Sequence, residues 1–214
     1  MLEHLIELDR SVFLALNGLH FPFFDSVMVA FSAKFVWIPL YAAIIFAMFF
    51  SVNGYGFGES AKQRLKIIRK PLYFGIIALT GALITFALTD TVANQIKFLV
   101  ERPRPAYDPV IGSMVRMLEY KGGLYGFLSN HAANVFGLAI FTSLVFRKRP
   151  YTIFIFLWAA LVSYSRIYVG KHFPLDVLCG AMLGLFIGFI IYTTARALLK
   201  RYKLIPPESD VVRN

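Results

Sequence analysis

Charge and apolar side chains are kept apart along this chain, and that separation limits what it can fold into. Of its residues 58% are hydrophobic and 16% charged, and the charges fall in short stretches between long apolar blocks. A water-soluble domain spreads its charges over helix faces, whereas a bilayer requires them to be segregated, with every backbone polar group satisfied inside helices or closed barrels. The pattern therefore predicts one all-α domain, an integral membrane helical bundle. The formal charge of +10 does not point to nucleic acid, because most basic residues flank apolar runs, where they set orientation and meet anionic headgroups. Cys179 is the only cysteine, which excludes an intrachain disulfide.

Residues 1–20 lack a basic leader and a cleavage-like site, so no removable signal peptide is expected. Glu3, Glu7, Arg10 and Asn17 share one helical face and Leu5, Leu8, Val12 and Leu16 another, which predicts an amphipathic interfacial helix over 1–24. The alternative is a short span over 11–24, below the ~20 residues a crossing takes. Five spans are expected, near 26–51, 71–100, 130–146, 151–169 and 174–199, or six if residues 11–24 cross. The core is thus 25–200, with a loop at 101–128 long enough to cover a site and a tail at 201–214 assigned to the cytoplasm. Gly180, Gly184 and Gly188 recur every fourth residue of the last span, a smooth stripe for close helix packing.

Polar residues capable of chemistry interrupt this plan at three places. Asp90, Asn94 and Lys97 share a face near the end of the second span, followed by Arg104-Pro105; Asp90 is read either as a partner of Lys97 or as a carboxyl satisfied by a neighbouring helix. Pro103 and Pro105 forbid a regular helix there, so Arg104 should fold back toward that span's end. Ser129-Asn130-His131 opens the third span, with Ser129 a strong N-cap type at a helix terminus suited to anions. Arg166 ends the fourth span, and His172 and Asp176 stand one helical turn apart across Pro174. That spacing lets the carboxylate hold one ring nitrogen and leave the other free to attack.

Counting crossings puts all three places on the same membrane face. The opposite face collects Lys62, Arg64, Lys66, Arg69 and Lys70, then Arg147, Lys148 and Arg149, then Arg196, Lys200, Arg201, Lys203 and Arg213. By the positive-inside rule the polar face is external, periplasmic for a bacterial inner membrane.

Lys97 with Arg104-Pro105, Ser129-Asn130-His131, and Arg166 with His172 and Asp176 resemble the three signature motifs of the type 2 phosphatidic acid phosphatase (PAP2) superfamily, membrane phosphatases related to vanadium haloperoxidases. The resemblance runs over roughly residues 70–200. It implies hydrolysis of a lipid phosphate monoester or pyrophosphate through a phosphohistidine, with lipid A phosphate, undecaprenyl pyrophosphate and phosphatidylglycerol phosphate as candidate substrates. His172 would be nucleophile, Asp176 its orienting partner and His131 general acid, then base. Lys97, Arg104, Ser129, Asn130 and Arg166 would bind phosphate. Where the family carries Pro-Ser-Gly-His, this chain has Leu128-Ser129-Asn130-His131, so the Asn130 amide becomes a candidate substrate contact.

No cofactor and no metal are expected, since a basic cluster repels a divalent cation. The expected partners are the bilayer and the lipid substrate, without nucleic acid; nothing in the residues fixes an oligomeric state. A non-hydrolytic anionic-lipid binding or transport protein on the same scaffold is the competing reading, and the two histidines with Asp176 argue against it.

Overall fold

A computed structural model describes residues 1–50 and 71–201. The basic stretch at 53–70 and the tail beyond 201, including Lys203 and Arg213, lie outside the described residues. In chain order the helices are α1 (Leu2–Gly18), α2 (Pro22–Ser32), α3 (Ile38–Phe50), α4 (Pro71–Val100), α5 (Asn130–Phe146), α6 (Arg149–Tyr168) and α7 (Pro174–Arg201).

Local chemistry sets these boundaries. Prolines occupy the first turns of α2, α4, α6 and α7, where a missing N–H costs nothing. Helix α4 stops where Glu101 takes a left-handed φ of 50° and returns its N–H to the Lys97 carbonyl, with Pro103 and Pro105 barring continuation. Arg147, at φ 51°, ends α5 in the same way.

The first apolar stretch departs from the single span expected over 26–51. It is broken at Ala33, whose backbone is extended, and passes through a 3-10 turn at Phe35–Trp37 before α3 begins. The Arg166 side chain explains the break: it donates to both the carbonyl and the hydroxyl of Ser32, meeting the acceptor that a continuing helix would have used. Pro39 then sits in the first turn of α3.

Helix α5 lies at the centre, packed by α4, α6 and α7. Phe141, Ile155, Trp158 and Phe74 fill the space between them, with Met48 from α3, while Phe154, Leu157, Phe186 and Phe189 point outward, as lipid-facing side chains must. Lipid tails are as apolar as leucine, so tight packing holds such a bundle together more than exclusion from water does. The glycine stripe of α7 is where packing is tightest. A Cβ on Gly184 would stand 2.2 Å from the Ala133 carbonyl oxygen, and one on Gly188 2.6 Å from that of Gly137. Gly184→Val should lower the thermal midpoint in detergent by an amount equivalent to about 3 kcal/mol or more, as overpacking against backbone does. Gly123→Val, where nothing lies within 4 Å, should leave it unchanged.

Three of the described helices, Tyr73–Val100, Arg149–Tyr168 and Pro174–Arg201, are long and apolar enough to cross a membrane. Phe35–Phe50 and Asn130–Phe146 are shorter apolar helices, and α1 with α2 forms a pair bent by 117°. The chain is a multi-pass membrane protein. On α1, Glu3 and Glu7 are exposed as expected of a polar face, but Asn17 turns inward beside Asp9 and Phe13.

Candidate active site

The turn between α6 and α7 carries His172, and its shape is dictated by one glycine. Gly170 has φ 87°, and a Cβ there would meet Met117 Sδ at 2.6 Å and the Arg116 carbonyl oxygen at 2.8 Å. With that turn made, the Arg166 carbonyl accepts from the amides of both Lys171 and His172, at 2.9 and 3.2 Å. His172 is thereby drawn under the 101–128 loop, only 2% exposed, and Asp176 in the first turn of α7 is fully buried.

The loop is folded back as the prolines require. Arg104 N–H donates to the Leu124 carbonyl at 2.9 Å and Gly126 N–H to that of Arg102 at 2.8 Å, so the Arg104 side chain reaches His172. Its Nη1 lies 3.4 Å from His172 Nε2 and its Nε donates to the Tyr125 carbonyl. A guanidinium only donates, so Nε2 is the lone-pair nitrogen and the ring hydrogen belongs on Nδ1. Nδ1 faces Asp176 Oδ2 at 3.5 Å, longer than a hydrogen bond, and has no other partner. Burial, then the charges of Arg104, Arg166 and Lys97, hold the His172 pKa well below its ordinary value, which favours the neutral ring.

Asp176 is fixed by other means. Oδ2 accepts from the Phe173 amide at 3.0 Å, and Oδ1 accepts from Arg102 Nη1 at 2.9 Å. The other end of Arg102 binds Asp9 of α1 at 2.6 Å, and its guanidinium lies 4.1 Å over the Phe173 ring. Neither Arg102 nor Asp9 belongs to the residues that the sequence motifs mark. Arg102 had a signal, since it precedes Arg104 in an Arg-Pro-Arg-Pro run; Asp9 had none.

Lys97 and Asn130 meet across α4 and α5, with Lys97 Nζ donating to Asn130 Oδ1 at 2.7 Å. The Asn130 amide nitrogen is spent on Asp90 Oδ1 and Asn94 Oδ1, both at 2.9 Å. Both readings of Asp90 are thus met: a neighbouring helix satisfies it, and it reaches Lys97 through Asn130. The side chain that replaces the family glycine serves here as a strut for the lysine. On the reading of Lys97 as a phosphate-binding residue, Asn130→Gly should raise KM about three- to ten-fold with little change in kcat, because one charge-assisted hydrogen bond that holds Lys97 is lost. Steady-state kinetics on the purified variant checks this.

The remaining candidates are spread around this centre. Ser129 caps α5 by accepting the Ala132 amide and donates its own N–H to the Asp176 carbonyl, tying the starts of α5 and α7 together. Arg166 is committed to Ser32, while its Nε is buried without a partner. Glu119 of the loop pairs with Lys171 at 2.6 Å and lies 3.9 Å from Arg166. Burial works against the ionised Glu119, but Lys171, Ser32 and Arg166 outweigh it and hold its pKa below the ordinary value. His131 stands at the polar end of a cleft of about 450 Å³ between α3, α4 and α5, beside Lys34, Asp90 and Asn134. Tyr41, Ile44, Met48, Leu83 and Phe86 make the rest of that cleft apolar. Among the described residues no group of three or more His, Cys, Asp or Glu side chains is placed to hold a metal ion.

Comparison with known proteins agrees with this architecture. The model of the PAP2 superfamily matches residues 72–200. The chain is similar to a lipid A 4'-phosphatase of Bacteroides thetaiotaomicron, with 39% identity over 97% of this chain and 85% of the relative. A lipid A 4'-phosphatase of Porphyromonas gingivalis is 33% identical over 89% of this chain and 74% of its own length. An undecaprenyl-diphosphatase of Bacillus subtilis is 28% identical over 86% and 83%. Among solved structures, Aquifex aeolicus LpxE superposes with a TM-score of 0.59 at 25% identity, covering 86% of this chain and 93% of that one. The Bacillus subtilis PAP2-type phosphatidylglycerolphosphate phosphatase shares the fold, with a TM-score of 0.65 at 23% identity over 89% and 86%.

Fold, site and relatives define a multi-pass membrane enzyme that hydrolyses phosphoric esters. The chain belongs to the PAP2 superfamily.

Proposed function

We propose that this enzyme removes a phosphate from lipid A at the outer face of the bacterial inner membrane. The similarity to the Bacteroides thetaiotaomicron lipid A 4'-phosphatase, along nearly the whole of this chain, carries the choice of lipid. An apolar cleft that ends at His131 supports a substrate with acyl chains.

In the reaction, His172 Nε2 forms a bond to phosphorus as the bond from phosphorus to the lipid oxygen breaks, and His131 gives that oxygen its proton. Asp176 stabilises the charge that grows on the His172 ring from its place facing Nδ1. Water then attacks the phosphohistidine, losing its proton to His131, and phosphate leaves. Lys97, Arg104 and the spare Nε of Arg166 supply positive charge for the phosphoryl oxygens. Ser129 acts through the start of α5 and Asn130 through Lys97. No metal or cofactor enters this scheme.

Five crossings, α3 to α7, fit the contacts. The ends of α4 and α6 and the starts of α5 and α7 meet around His172, and the 3-10 turn leading into α3 comes shortly after Ser32, which Arg166 holds. Both ends of α2 touch that same face, through Asp25 to Tyr168 and Ser32 to Arg166, so α1 and α2 lie along the interface as one unit, roughly residues 1–33. Arg147, Lys148 and Arg149 are exposed at the opposite end, and by the positive-inside rule this supports a cytoplasmic location for that end.

The test is phosphate release by purified protein from bisphosphorylated lipid A, undecaprenyl pyrophosphate and phosphatidylglycerol phosphate side by side. The proposal expects lipid A to lead in kcat/KM by about ten-fold or more, the equivalent of 1.4 kcal/mol in transition-state binding. A lead for either of the other two overturns the choice of lipid.

A further inference from the structure

The mechanism leaves a deeply buried carboxylate unused. Asp9 of α1 is 4% exposed, far in sequence from every motif, yet both its oxygens are engaged at the active-site turn. Oδ2 pairs with Arg102 at 2.6 Å, and Oδ1 accepts the Leu175 amide at 2.9 Å, in the first turn of α7 beside Asp176. The contact is one of three made by a single stripe of α1. Four residues on, Phe13 packs edge-to-face on Phe173 with ring centroids 5.3 Å apart. Four further on, the Asn17 amide donates to the Tyr168 carbonyl at 2.9 Å and to that of Arg116 at 3.0 Å, and its oxygen accepts the Arg116 amide at 2.9 Å. Spacing of i, i+4 and i+8 puts all three on one face, and that face runs along the turn from Tyr168 to Leu175.

We propose that Asp9 is a positioning residue for phosphoryl transfer: from α1 it holds Arg102 and the start of α7 so that Asp176 faces the ring of His172. The inference rests on the phosphohistidine reading above and adds α1 to the machinery, where the sequence pattern had only an interfacial helix. The charge arrangement gives the role its content. Arg102 is shared between two buried carboxylates, so the trio of Asp9, Arg102 and Asp176 keeps one net negative charge beside the ring. Without the Asp9 charge, Arg102 belongs to Asp176 alone and neutralises the carboxylate that must stabilise the positive charge forming on His172. Loss of Asp9 should therefore slow the chemical step more than it weakens substrate binding.

Asp9→Asn separates this from a packing role, because its side-chain oxygen still accepts the Leu175 amide while the charge is gone. Expected is a kcat per folded molecule about ten-fold below the parent, the size seen when a group that orients a first contact is removed, with KM within about two-fold. Asp9→Glu, which restores the charge, should recover most of that rate. Parental kcat in the Asn variant overturns the inference, as do Asn and Glu variants that are equally slow, since the loss then follows shape and not charge. Should the Asn variant not fold, a folded Glu variant below one tenth of the parental rate overturns it alone. Rates are measured on whichever lipid the parent hydrolyses fastest, so a wrong choice of lipid refutes the substrate reading and leaves this test standing.

Discussion

His172→Ala should release phosphate at least about 10⁴-fold more slowly than the parent, on every lipid the parent hydrolyses, because the covalent route disappears with its nucleophile. The fold should survive, since the ring makes no hydrogen bond that holds secondary structure; its turn is fixed instead by the Arg166 carbonyl and by Gly170. Single-turnover kinetics with a ³²P-labelled lipid checks the chemistry directly. The parent should trap label on protein when quenched early, in the acid-labile and base-stable form that a phosphohistidine has, and the variant should trap none. A variant that turns over as fast as the parent removes the assignment of His172 as nucleophile.

Arg102→Leu should be the most damaging substitution outside the two histidines. Its guanidinium separates Asp9 from Asp176, whose side chains are 2% and 0% exposed. Taking away the shared partner leaves two buried carboxylates uncompensated, a change that costs about 3–5 kcal/mol even for one broken pair. The expected result is a protein that either fails to accumulate in the membrane or melts far below the parent. Asp9→Asn combined with Arg102→Leu should regain part of that stability, because only one carboxylate then lacks its counter-charge. Thermal midpoints of the two variants in the same detergent decide the matter; equal midpoints for Arg102→Leu and the parent would show that the pairing contributes nothing.

Much of this was legible before the structure. The separation of charge from apolar runs gave the helical membrane class, the glycine stripe gave a close α7 face, and the prolines after Lys97 required Arg104 to turn back. The pairing of His172 with Asp176 was legible in their spacing, and the structure places the two side chains 3.5 Å apart. What escaped has a common physical origin, in contacts between residues far apart in sequence. Asp9 and Arg102 are 93 positions apart, and no local period encodes an ion pair across such a distance. The break at Ala33 escaped for the same reason, since the apolar run around it reads as continuous and the side chain that ends the helix comes from Arg166. Asn130 was read as facing substrate because only its place beside His131 was visible, whereas the acceptors that occupy its amide lie on α4.

The seam between α5 and α7 bears on how such an enzyme can be altered. His131 opens one of these helices and His172 precedes the other, so the backbone contact at Gly184 and Gly188 acts as a ruler that sets the gap between the two imidazoles. A single methyl group inserted far down that seam would pry the helices apart and be felt at the chemistry many ångströms away. Side chains on the outer walls of α4 and α6 carry no such responsibility, and they are the places where sequence can drift, or be redesigned for a different membrane, at little expense to turnover.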